Sequence, residues 1–201
     1  MLFRSASTTP ETITQTDNAA PNAAAVPPNK TAPVMQPEGR FLGRTDAPVQ
    51  IIEFSSLTCS HCAYFHNKIL NDFRVKYIDT GLVRIEFREF PLNKPALDAT
   101  MVLRCLPDKQ YFPFMSMLFQ TQDHWAFSND YAALLKQNAK LAGLSESTFN
   151  KCVNDQAAVQ KLAENIKADA EKYKIESTPT FIINDGAARV VGALPVDEFG
   201  K

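Results

Sequence analysis

The chain has 201 residues, 45% of them hydrophobic, and a formal net charge of -1. That length supports one substantial core, or one domain carrying an insertion. Near-neutral charge of mixed sign lacks the basic face that phosphate neutralisation demands, so nucleic acid is not an expected partner; no apolar run approaches the roughly eighteen residues of a membrane-spanning helix.

Residues 1–37 hold Pro10, Pro21, Pro27, Pro28, Pro33 and Pro37 among Ala, Thr and Asn, and their apolar residues follow neither helical nor strand period. A segment that buries so little cannot offset its ordering entropy and is expected to be a disordered tether with a reach of roughly 35 Å. It suits a spacer holding a domain off a membrane, or an inert leader. The apolar stretch at Met1-Leu2-Phe3 is too short for a secretory signal, so the protein either stays in the cytosol or is exported by a segment absent from this chain.

Val49 to Ser55 is a short apolar run bounded by Pro48 and a cysteine turn, which predicts a buried strand. Beyond Cys62, the positions Phe65, Ile69, Phe73 and Tyr77 recur every four residues and predict a helix closing near Gly81. Leu82 to Phe90 alternates apolar and charged, a second strand. Strand, helix, strand is a βαβ unit with a parallel pair.

Helical signals follow. Pro95 can start a helix with Leu97, Met101 and Cys105 on one face. Phe112 to Phe119 is dense in aromatics and methionine, either core or the wall of a peptide groove. Ser128 and Asn129 are candidate caps for a helix carrying Tyr131, Leu134, Leu135 and Leu141, closed by Gly143. Ser145 can cap the next, with Phe149, Cys152 and Val153 in step, and Val159, Leu162, Ile166, Ala170 and Tyr173 mark a longer one. Thr180 to Ile183, the turn Asn184-Asp185-Gly186 and Arg189-Val190-Val191 then predict a β-hairpin. Pro195 to Phe199 begins a last helix of about one turn. The α/β architecture is therefore a βαβ half and a β-hairpin half, split by a helical insertion.

Cys59 and Cys62 are separated by Ser60 and His61. A structural zinc site wants four ligands, and no second cysteine pair or paired histidines supply the rest, although His61, His66 and His124 are available. No metal is expected. A purely structural disulfide within so short a loop would stabilise little. Redox chemistry fits the placement: Cys59 falls at a helix N-terminus, where unpaired N–H groups and the macrodipole favour its thiolate, and Cys62 lies one turn in, able to resolve a mixed disulfide. His61 can present a cationic or donor edge to the same sulfur. A thiolate stabilised by three pKa units favours the reduced form by about 4 kcal/mol, or roughly 90 mV.

Several residues keep two readings. Glu53 interrupts the first strand and either points to an exposed face or lies semi-buried beneath Cys62 as a proton carrier. Thr178-Pro179 opens a strand with an ordinary trans proline or with a cis proline that leaves the Thr178 backbone free for a bound polypeptide. His66 shares a helical face with Cys62 and is either a packing residue or a catalytic one. Cys105 and Cys152 are two buried free thiols, or a disulfide contributing about 4 kcal/mol by loop closure and needing an oxidising compartment.

These stretches together resemble the DsbA-type thiol:disulfide oxidoreductases: D-A-P-V-Q-I-I-E-F-S, then C-S-H-C-A-Y-F-H, V-R-I-E-F-R-E-F-P-L-N, and S-T-P-T-F-I-I-N-D-G followed by G-A-L-P. The resemblance covers the chain from about Arg40 onward. It implies a thioredoxin fold over residues 38–93 and 174–201, interrupted by an inserted all-helical domain over 94–173. It implies Cys59 as nucleophile, Cys62 as resolving cysteine, Pro179 as a cis proline after Thr178, Glu53 as a buried acid, and no cofactor beyond the redox-active Cys59–Cys62 disulfide. A Cys105–Cys152 structural disulfide completes the expected site set. Export to the periplasm, folding exported polypeptides as substrates and a membrane reoxidising partner of DsbB type follow from the same likeness. Ser60 stands where the best-known oxidases carry proline, and Thr178 is a residue also seen in related isomerases. An isomerase or reductase on this fold is therefore the second expectation, and a thioredoxin-like metal-binding protein the third. Residues 1–37 lack the apolar periodicity of an oligomerisation segment, so a monomer is expected. The carboxyl-terminal helix of the fold is barely begun at Lys201, which suggests a shortened chain.

Overall fold

The computed structural model describes residues 40–200; the tether expected over residues 1–37 lies outside the described residues. Five strands form one sheet: β1 (Arg40–Leu42), β2 (Val49–Ser55), β3 (Val83–Glu89), β4 (Thr180–Ile183) and β5 (Ala188–Val191), in the order β1-β3-β2-β4-β5. β2 and β3 are parallel and in register from Val49 opposite Val83 to Ser55 opposite Glu89. The other pairings are antiparallel. β1 carries no signal in the sequence, because three residues cannot display an alternation. Its pairing with β3 defines it, and the chain then turns away at Gly43, whose φ of +99° and 2.5 Å approach of an added Cβ to the Val83 carbonyl leave room only for glycine.

Helix α1 (residues 60–78) joins β2 to β3. It is α-helical over Ser60–Tyr64 and Leu70–Phe73, and π-helical over Phe65–Ile69 and Arg74–Ile78. The sequence contains the reason. An α-helix advances 3.6 residues per turn, so apolar residues repeating every four drift off a single face. Wider π turns remove the drift, and Phe65, Ile69 and Phe73 all stay buried.

Six helices follow before β4: α2 (Lys94–Cys105), α3 (Asp108–Gln120), α4 (Gln122–Trp125), α5 (Tyr131–Leu141), α6 (Glu146–Val153) and α7 (Gln156–Tyr173). Asn93, Ser145 and Asp155 cap α2, α6 and α7 by accepting the N–H groups of Ala96, Thr148 and Ala158. The expected caps of α5 do not act as such. Its flanking residue is Asp130, without a side-chain cap, and Ser128 accepts the Asp130 N–H instead. Leu141 is 79% exposed rather than core, because it lies off the stripe on which Leu135 and Ala139 are buried. On α7 only Leu162 and Tyr173 are fully buried; Val159, Ile166 and Ala170 are half-buried.

One apolar cluster runs from the α1 side of the sheet into the helical block, through Phe65, Ile85, Phe87, Leu103, Leu118, Trp125 and Leu135. The opposite sheet face packs Phe54 and Ile182 against Tyr173 and Ile175, where α7 returns the chain to the sheet. Cys105 and Cys152 are joined by a disulfide that ties α2 to α6 across 47 residues of sequence. Cys152 is buried, but Cys105, the last residue of α2, is exposed, so the pair is not two buried thiols. Replacing both by alanine should lower unfolding stability by about 2–4 kcal/mol. Urea denaturation at a fixed redox state of Cys59 and Cys62 measures this, and an unchanged midpoint would show that the loop is already ordered without the bond.

Candidate active site

The carboxyl end of β2 runs into a buried turn, Ser56-Leu57-Thr58, that places Cys59 at the N-cap of α1. Three elements clamp this turn. The Cys59 N–H donates to the Ser56 carbonyl at 3.1 Å. From the loop before α2, Asn93 accepts the Thr58 hydroxyl at 3.2 Å, and the Leu92 N–H donates to Ser56 Oγ at 3.4 Å. From the helical block, the buried Gln122 amide donates to the carbonyls of Leu57 at 2.9 Å and Cys59 at 3.1 Å. The insertion therefore holds the cysteine turn directly.

Cys59 is half-buried with extended backbone, and its sulfur accepts the Cys62 N–H at 3.3 Å. The sulfur also lies 3.3 Å from the carbonyl of Thr178, across the sheet. Its thiol is pulled down from 9.0 to about 5: the hydrogen bond from the Cys62 side chain is the largest cause, burial opposes it, and Thr178 with the backbone N–H groups of Cys62 and His61 adds to it. Cys62 is fully buried and pushed up beyond the ordinary thiol range, first by burial, then by its hydrogen bond to Cys59 and by the charges of Cys59 and Glu53, with Ser55 acting in the opposite sense. One turn thus holds two sulfurs of opposite character, an accessible stabilised thiolate and a protected thiol.

The remaining expected site residues fall as follows. Ser60 and His61 are exposed, and it is the backbone N–H of His61, not an imidazole edge, that stabilises the sulfur. The Thr178–Pro179 peptide is cis, and the Gly192 N–H donates to the Pro179 carbonyl at 2.8 Å. Glu53 has no exposed surface, which rules out the exposed alternative and makes it more deeply buried than the half-buried one, as the resemblance to a buried acid implies. Its Oε1 lies 3.0 Å from His66 Nε2, and its Oε2 has no hydrogen-bond partner. Among the described residues, no group of three or more His, Cys, Asp or Glu side chains is gathered as a metal site. Two residues of the site were undervalued or missed in the sequence. His66 shares a helical face with Cys62, but its carboxylate partner lies on another element. Gln122 gives no signal at all, since a polar residue between helices reads as solvent-facing.

With this geometry in place, comparison with known proteins is informative. The thioredoxin family profile matches residues 35–200. A putative protein-disulfide oxidoreductase of Rickettsia typhi is 36% identical over 144 residues, covering 71% of this chain and 53% of the relative. One of Rickettsia prowazekii is 34% identical over 158 residues, covering 78% and 58%. The chain therefore spans about half the length of the curated relatives it matches. The crystal structure of Wolbachia pipientis alpha-DsbA1 superposes with a TM-score of 0.74 at 32% identity, covering 83% of this chain and 89% of that one. The chain belongs to the thioredoxin family, among the DsbA-type disulfide oxidoreductases.

Proposed function

We propose that the protein donates disulfides to folding exported polypeptides in the periplasm. The observation that carries the reading is the placement of Cys59 at the N-cap of α1, its sulfur accepting the Cys62 N–H at 3.3 Å while Cys62 itself is wholly buried: a Cys59 so held as thiolate is a good leaving group and favours the reduced enzyme, which makes the disulfide oxidising. A substrate thiolate attacks Cys59 Sγ, the Cys59–Cys62 bond breaks, and its electron pair stays on Cys62, which takes up a proton. A second substrate thiolate then attacks the substrate sulfur of the mixed disulfide and expels the Cys59 thiolate. The substrate has lost two electrons and holds a disulfide; the enzyme holds two reduced cysteines. Thr178, whose carbonyl lies beside Cys59 Sγ, and Pro179 receive the substrate backbone, with Ser60 and His61 at the exposed rim. Glu53 serves as the buried proton carrier. No cofactor is required beyond the disulfide itself, and a membrane partner of DsbB type reoxidises it.

The functional unit is a monomer with its thioredoxin domain over residues 38–93 and 174–201 and its inserted domain over 94–173. Two measurements test the activity. Cys62→Ser should accumulate a mixed disulfide at Cys59 with a reduced polypeptide, whereas Cys59→Ser should form none. Equilibration of the wild type in graded glutathione buffers, with alkylated cysteines counted by mass, should put the couple around -120 mV. A couple around -270 mV would assign the protein to reductases or isomerases instead, with Ser60 the first residue to exchange.

A further inference from the structure

We propose that His66 is a positioning residue for the thiol chemistry of Cys62, holding the Glu53 carboxyl group by one oxygen so that the other exchanges a proton with the buried sulfur. The inference rests on the roles given above to Cys59 and Cys62. Glu53 sits on β2 between Phe87 of β3 and Phe181 of β4, with no exposed surface. A carboxyl group so enclosed needs a hydrogen-bonding partner, and the one it has among the described residues is His66 at 3.0 Å. The imidazole comes from α1, four residues beyond Cys62, so a single helix presents both the resolving sulfur and the ring to the same strand.

The ring itself is fixed. Its side chain is 3% exposed, stacked on Phe119 at 4.3 Å and 16°, and packed against Phe65 and Phe87. Neighbours from β3, β4 and α3 are the phenylalanines 87, 181 and 119, none of which titrates. The charged and titratable groups at this point are therefore Glu53, His66 and Cys62, with Cys59 facing Cys62 from the start of the same helix. Oε1 is committed to Nε2, which leaves Oε2, buried and without a partner, as the oxygen free to carry a proton. Glu53 is near enough to Cys62 for its charge to hold that thiol up.

When a substrate thiolate attacks Cys59, the electron pair of the broken disulfide stays on Cys62 Sγ, and the Glu53 Oε2–H proton passes to it. The carboxylate left behind is retained by the Nε2–H of His66, which donates to Oε1. In reverse, when Cys62 resolves a mixed disulfide, its proton returns to Oε2, and the freed thiolate attacks Cys59 Sγ, re-forming the Cys59–Cys62 bond and expelling the substrate as a thiolate.

A chromogenic nitrobenzoate disulfide separates the two cysteines in time. The reduced protein releases one coloured thiolate as Cys59 is modified, and a second as Cys62 attacks the mixed disulfide. His66→Gln keeps a donor for Oε1 but loses the ring whose stacking on Phe119 fixes that donor in place. It should retain the first release, slow the second about tenfold at neutral pH, and move the pH midpoint of the second by about one unit, the tenfold step expected per pKa unit. Added to Glu53→Gln, it should cause no further slowing, because it acts through that carboxyl group. A normal first release with an unchanged second release and pH midpoint in His66→Gln overturns this inference alone, as does additive slowing in the double variant. No first release in the wild type overturns the reading of Cys59 and this inference with it. His66→Asn replaces the glutamine variant if the latter loses the first release.

Discussion

Reduced protein should lose about 2 kcal/mol of stability between pH 7 and about pH 4, an increment that the oxidised protein does not share. Cys59 is responsible. Its folded-state pKa of about 5 lies below that of a thiol in the unfolded chain, near 8.5. A depressed pKa contributes stability that is fully present above the unfolded value and is lost as the pH falls through the folded one. At pH 7 the two intervening units correspond to about 2.7 kcal/mol, reduced here to about 2 because the sulfur is half-exposed and partly screened. Cys62 is shifted the other way, so above about pH 8.5 the unfolded chain gains by ionising it and the advantage shrinks. The difference between the redox states therefore grows from about pH 5 and is largest near pH 8.5. Urea unfolding of each redox form across this range is the measurement; parallel pH curves would remove the thiolate from the account. Alkylation offers a second readout. Its rate should halve near pH 5, and at pH 7 Cys59 should hold a thiolate fraction roughly thirtyfold that of an ordinary thiol.

Phe65→Ala should destabilise the protein by about 4 kcal/mol, near the top of the range for a single core truncation. Phe65 is wholly buried and packs on Phe181 at 4.7 Å, Phe199 at 6.0 Å and Phe73 at 6.4 Å. It joins the sheet face, α1 and the last turn of the chain at one point, and the rigid elements around it cannot close over the vacated volume. Tyr64, its neighbour in sequence, provides the control: it is 55% exposed, and Tyr64→Ala should shift stability by no more than about 0.5 kcal/mol. Equal effects at the two positions in chemical denaturation would contradict the placement of α1 on the sheet.

Much of the fold was legible because its signals are local. The strand limits Val49–Ser55 and Thr180–Ile183 coincide with apolar runs closed by turn residues, and the parallel pairing of β2 with β3 follows from the helix between them. Helix α1 was legible as a helix but not as one with π turns, since a repeat of four shows that a face is kept buried without showing how the backbone keeps it so. Three-residue β1 was invisible, because its identity lies wholly in its partner. Leu141 was misread for the complementary reason: an apolar residue near a stripe looks like part of it until the neighbouring helices show which positions are covered.

The site divides in the same way. By itself the sequence determined the Cys59–Cys62 pair, its location where a strand passes into a helix, and hence the class of chemistry, because spacing and helix polarity are properties of consecutive residues. Only the tertiary structure decided which groups act on those sulfurs. Thr178 lies 119 residues from Cys59, Glu53 lies 13 from His66, and Gln122 lies 63 from the carbonyl it holds. Each of those contacts depends on how strands and helices from distant parts of the chain pack together. The pKa of a thiol and the state of a buried carboxyl group are set by whatever atoms packing brings within hydrogen-bonding distance, and no local pattern records them.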